Sequence, residues 1–128
     1  MSNKMDLLLK VDKSKLVRPT QEVEIKRLSE ILGEPFTVMC QALTADEFKE
    51  LENTKTANED MVIKGVKDPD FTNQQVIEYY GAVTATEAVN TIFLPGEITS
   101  LVKVITNLSG FGTDAIKEIK NSSTQAEK

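Results

Sequence analysis

The sequence predicts an α+β domain, with a mainly helical C-terminal half and a small antiparallel β element near the N-terminus. Three observations predict it. Two runs of alternating apolar and polar residues flank a link containing Gly33 and Pro35. Three Thr-x-x-Glu/Gln signatures mark helix starts, and one long segment repeats its apolar residues at helical period. A chain of 128 residues is one domain by size and can bury about two-thirds of its unfolded surface. With no tryptophan, its core must be mostly aliphatic.

The opening MSNKMDLLLKVDKSKLVRPTQ, residues 1–21, reads as an arm, either a loosely ordered terminus or a short docked helix. Its run Leu7 to Leu9 is too short for a signal-peptide core or a membrane span, so the expectation is a soluble cytoplasmic protein. A single compact domain is expected over 22–120, followed by a mobile tail, 121–128.

In EVEIKRL, Val23 and Ile25 share one side and Glu24 and Lys26 the other; in FTVMCQAL, Phe36, Val38, Cys40 and Ala42 share a face. These predict an antiparallel pair, although EVEIKRLSEIL also suits a helix. LTADEF, FTNQQV and VTATEA then each place a threonine three residues before Glu or Gln, the spacing of a capping box. Helices are therefore predicted to start at Thr44, Thr72 and Thr84. Leu43 with Phe48 and Phe71 with Val76 fit hydrophobic staples, and Val83 with Ala88 makes a weak one.

NTKTANED after the first helix reads as a solvated loop, and MVIKGV as a strand or extended segment broken at Pro69. Asp68 and Asp70 are too few to hold a metal and suit the start of the next helix electrostatically. That helix carries Val76, Ile77 and Tyr80 and stops at Gly81. The third carries Ala85, Ala88, Val89, Ile92 and Phe93.

Pro95 then opens the strongest periodic segment. Its missing amide is tolerated in a first helical turn, and Glu97 favours the positive end of the dipole. Ile98, Leu101, Val102, Ile105 and Leu108 form the stripe, and Ser109-Gly110 provide the stop, with Phe111 folding back as core or facing a partner. The GFG after it is no phosphate loop, because it follows a helix instead of preceding one. DAIKEIK, Asp114 to Lys120, can add one or two turns through Ile116 and Ile119.

The chemistry available is narrow. Net charge −5 and a pI of about 4.8 oppose nucleic-acid binding. With no histidine, Ser-His and Cys-His nucleophile pairs are excluded, and Cys40 reads as a small buried hydrophobe. Glu47 and Glu87 are explained by capping. No enzyme, metal site or cofactor is expected, and the residues alone describe a binding protein.

DPDFTNQQVIEYYGAVTATEAVNTIFLPGEITSLVKVITNLSGFG, Asp68 to Gly112, resembles the conserved half of the XkdN-like phage tail assembly chaperones. D-P-x-F, Y-G-A, T-x-x-E, L-P-G-E-I and L-S-G-[FY] recur there in this order, and EVEIKRLSEILGEPFTVMCQALTADEF is more loosely similar to the family's variable half. The resemblance implies a phage or prophage protein, usually of contractile-tail clusters, that binds the tape measure protein, keeps it soluble and helps recruit tail tube subunits. It implies action in the host cytoplasm, with no membrane partner and no place in the mature particle. A frameshifted longer form is common among such chaperones; neither that form nor a homo-oligomer is decided by the sequence. Tape measure proteins are long and helical with exposed apolar surface, so an apolar groove around Leu94, Pro95, Gly96, Ile98, Leu101 and Phe111 is the expected binding surface, with Tyr79 and Tyr80 at its rim. The plainer reading, residue by residue, is that most of the Ile98 to Leu108 stripe is the protein's own core. The competing readings are a structural tail component and a small regulatory adaptor.

Overall fold

The computed structural model describes residues 3–112 together with 116 and 119. The β element is a three-stranded antiparallel sheet in the order β1-β2-β3, built from Thr20–Glu24, Thr37–Gln41 and Val66–Asp68. Val23 stands opposite Val38 and Glu24 opposite Thr37, so apolar residues pair across the strands on the face that meets the helices. Val38, Cys40 and Ala42 are buried and Phe36 is partly so, as their alternation requires.

The alternating run EVEIKRL does not stay a strand. Ile25 donates its N–H to Phe36 O, and the chain then enters helix α2, Lys26–Leu32, which stops at Gly33 with φ 77. The switch buries Ile25 and packs Leu28 on the core, while Ser29 Oγ accepts the Phe36 N–H at 2.8 Å and fixes the return into β2.

Thr44 caps α3, Ala45–Leu51, with both halves of the box present: Glu47 N–H to Thr44 Oγ1 at 3.2 Å and Thr44 N–H to Glu47 Oε1 at 2.8 Å. Thr84 likewise caps α6, Ala85–Ile92, though the Glu87 carboxylate there accepts from the Val83 N–H instead of the Thr84 N–H.

Two segments differ from expectation. The stretch expected as a solvated loop and a strand folds as α4, Ala57–Gly65, and only Val66 onward joins the sheet as β3. Propensity favoured extended structure for MVIKGV, but helix places Val62 and Gly65 on one face against α6 and α7, and tertiary burial outweighs it. Thr72 is not a cap. Its hydroxyl donates to Asp70 Oδ1 at 2.6 Å, which leaves Asn73 to cap α5, Gln74–Tyr79, by accepting the Gln75 N–H. Gly81, at φ 68, ends α5 with Ala82 N–H on Ile77 O and Gly81 N–H on Glu78 O, the paired bonds of a left-handed C-terminal stop.

Pro95 starts α7, Pro95–Thr106, after a bend of 113° from α6. Ile98, Leu101 and Ile105 are buried along it, with Val102 and Leu108 packed against the core. The last turn widens over Asn107–Phe111, where Gly110 has φ 91. Ile116 and Ile119 are exposed; the rest of the turns expected over Asp114 to Lys120, and the tail 121–128, lie outside the described residues.

The arm forms a short helix, α1, Lys4–Leu8, and a 3₁₀ turn, Lys13–Lys15, and buries no residue in either. Its root is pinned where Pro19 O accepts the Ala42 N–H and Arg18 pairs with Glu47 at 3.3 Å.

Candidate functional site

A cleft of about 610 Å³ runs between the end of β1 with the start of α2 and the first three turns of α7. Val23 and Ile25 line one wall and Leu94 and Val104 the other, above Leu101, with Gly96 leaving the helix surface bare. The strand brings Val23 here by alternation, and the helical period of α7 brings Leu101 and Val104 to the same flank.

One ion pair closes an edge of this cleft. Arg27 donates from Nε to Glu97 Oε2 at 3.0 Å and from Nη2 to Glu97 Oε1 at 2.8 Å, and Nη2 also donates to Ile92 O at 2.7 Å. The bidentate geometry holds α2 against the α6–α7 corner. Glu97 Oε1 accepts the Leu94 N–H at 2.8 Å as well, so one carboxylate caps α7 and receives the guanidinium. Leu94 has no side-chain oxygen, so this half of a capping box stands alone.

The Arg27 hydrogen bonds hold the Glu97 carboxyl below the ordinary carboxylate range, and Glu97 in turn raises Arg27. A carboxyl lowered in the folded state contributes stability above its unfolded pKa, about 4.3, and that contribution is lost as pH falls through the folded value. Glu97→Gln keeps the acceptor for Leu94 but removes the charge. Its melting temperature is expected to lie below that of the parent at neutral pH and to converge with it in acid, as followed by circular dichroism from about pH 7 to about pH 2.5.

The expected surface residues are only partly brought together. Leu94, Gly96 and Leu101 line the cleft, but Leu101 is 2% exposed and forms its floor. Pro95 and Ile98 border a smaller pocket on another flank of α7, with Asn58, Glu59, Asn90 and Thr99, and Ile98 is buried. Tyr79 and Tyr80 pack edge to face at 5.0 Å, away from both pockets, and Phe111 lies edge-on to Phe48 at 5.1 Å while staying 69% exposed. Sequence reasoning missed Val23, Ile25, Arg27 and Val104 as cleft residues. Alternation marked the first two as a sheet face, but nothing local relates Arg27 to a carboxylate seventy positions on.

Cys40 is fully buried in the sheet, and burial pushes its thiol pKa up, away from thiolate reactivity. Among the described residues, no group of three His, Cys, Asp or Glu side chains is placed to hold a metal ion, and no single helix is long and apolar enough to cross a membrane.

The described residues thus form a small α+β domain with an open apolar cleft and one ion pair at its edge. The crystal structure of the protein YqbN has the same fold: it is 20% identical, covers 73% of this chain and 87% of its own, and superposes with a TM-score of 0.58. No curated protein matches the chain. The chain belongs to the phage XkdN-like tail assembly chaperone (TAC) family, whose model matches residues 5–121. Membership assigns it a role in phage tail assembly with protein partners, and a chaperone family points to non-catalytic work.

Proposed function

We infer that this chaperone binds the tape measure protein by accepting one of its apolar helical segments in the cleft, and helps recruit tail tube subunits to the complex. The observation that carries this reading is the apolar cleft between β1–α2 and α7, open to solvent in a protein of an assembly family. An amphipathic helix laid in such a groove buries its anchors while its polar face stays wet. Leu94 and Gly96 supply the accessible wall, Leu101 the floor, and Pro95, Tyr79, Tyr80 and Phe111 outlying contacts; Ile98 acts through the packing of α7. The complex forms in the host cytoplasm, and the chaperone leaves before the particle matures.

Coexpression tests it. The tape measure protein is expected to move into the soluble fraction with this chain and to return to the pellet with Leu94→Asp. That variant is suited to the test because Leu94 is 52% exposed and occupies an N-cap position, where aspartate is favoured. Equal solubility without the chain would remove the reading. Abundant peptides of the chain in purified tails would instead favour a structural component.

A further inference from the structure

The arm presents an unsolved burial problem. Met5, Leu7, Leu8, Leu9, Val11, Leu16 and Val17 are 43–76% exposed. Met5, Leu8 and Leu9 share a helical face at i, i+3, i+4, while Asp6 and Lys10 fall on the other side. A five-residue helix with no buried side chain has almost no stability in water of its own, so such a pattern asks for a partner surface.

Charge indicates the kind of partner. Residues 1–19 carry five cations, Lys4, Lys10, Lys13, Lys15 and Arg18, against Asp6 and Asp12, a net +3. The total of −5 then leaves −8 on residues 20–128, so the arm is attracted to the body of another copy as a whole, while at the cleft Glu24 and Glu97 balance Lys26 and Arg27 and leave the apolar lining to receive the helix. Its own cleft does not hold it: the arm's root is pinned by Arg18 on Glu47 and Pro19 on Ala42, no arm residue lines the cleft, and none in α1 or the 3₁₀ turn is buried.

We propose that the basic, apolar arm of one copy docks its helix in the β1–α2/α7 cleft of a second copy. The cleft supplies Val23, Ile25, Leu94 and Val104 for Leu8 and Leu9. The arm is then a stand-in occupant, which keeps the cleft covered until a partner segment displaces it.

The test uses the isolated chain, so its failure leaves the tape measure reading standing, and the reverse also holds. Sedimentation velocity at low salt is expected to show concentration-dependent self-association that weakens as salt is raised. Leu8→Asp/Leu9→Asp and Leu94→Asp should each weaken it by about tenfold or more, with unchanged circular dichroism. Mixing the two variants should restore a one-to-one pair, because one supplies an intact cleft and the other an intact arm. A chain that is monomeric at every concentration, association undiminished in the arm variant, or variants that fail to pair on mixing would each overturn the proposal.

Discussion

Gly65→Ala is expected to destabilise this protein by about 1–3 kcal/mol, although in an ordinary helix interior the same change stabilises by about 0.5–1 kcal/mol. Gly65 is the last residue of α4, where it faces α7. A Cβ there would overlap Ile105 Cδ1 and lie 2.8 Å from Cγ1 and 2.9 Å from Cγ2, so the whole side chain must shift, and not only its tip. Ile105 has no solvent exposure, so any shift must be taken up by its core neighbours. As a β-branched residue in a helix it is also confined to one preferred χ1 rotamer. The overlap therefore outweighs the gain in helix propensity. Equilibrium unfolding in urea checks this, with the midpoint falling and the slope unchanged. Ile105→Val on the Gly65→Ala background should recover only part of the loss, because it removes Cδ1 and leaves the two Cγ contacts. A Gly65→Ala protein as stable as the parent would show that α4 and α7 are not in this close approach.

Leu101→Ala is expected to cost about 2–5 kcal/mol, the range for deleting a buried leucine side chain where the surroundings relax only partly. Since a domain of this size has about 5–15 kcal/mol in total, that is a large share. Leu101 joins two structures at once: it packs in the core with Val89 and Ile105, and it floors the cleft. Its truncation therefore opens the cleft downward and weakens the fold together. Leu94→Ala on the neighbouring wall should change stability by no more than about 0.5 kcal/mol, because that side chain is largely in water. Denaturant unfolding of the two variants side by side measures the contrast. A Leu101→Ala protein that unfolds with the parent would contradict the packing described for α7. The comparison also has a practical consequence: loss of partner binding in a Leu101 variant reports on folding, whereas loss in a Leu94 variant reports on the surface.

The helical half was largely legible because its signals are local. Thr44 and Thr84 were recognisable as caps from residues three positions away, Gly81 from its place after an apolar stripe, and Pro95 from its fit to a first turn. Thr72 shows where that logic ends. The same spacing was present, but Asp70 two residues upstream engaged the hydroxyl and passed the cap to Asn73. In α4 the β-branched residues spoke for a strand, and only the presence of α6 and α7 made a helix the better way to bury Val62.

The candidate site was less legible than the fold. Periodicity identified Leu94, Gly96 and Leu101 as part of one apolar segment, yet it could not separate floor from wall. That distinction depends on what the opposite flank touches. Tyr79 and Tyr80 were singled out as rim aromatics and Phe111 as core or a partner anchor, and in the structure each packs edge-on against another ring away from the cleft.

By itself the sequence determined the α+β class, the antiparallel pairing of β1 with β2, the starts of α3, α6 and α7, the stop of α5 and the tail-chaperone resemblance, because each depends on residues close in the chain or on motifs in a fixed order. Only the tertiary structure decided that MVIKG is helical, that Arg27 grips Glu97, and that the end of β1 forms a cleft with α7. These features arise from contacts between distant segments, whose burial energies exceed the local preferences a sequence displays.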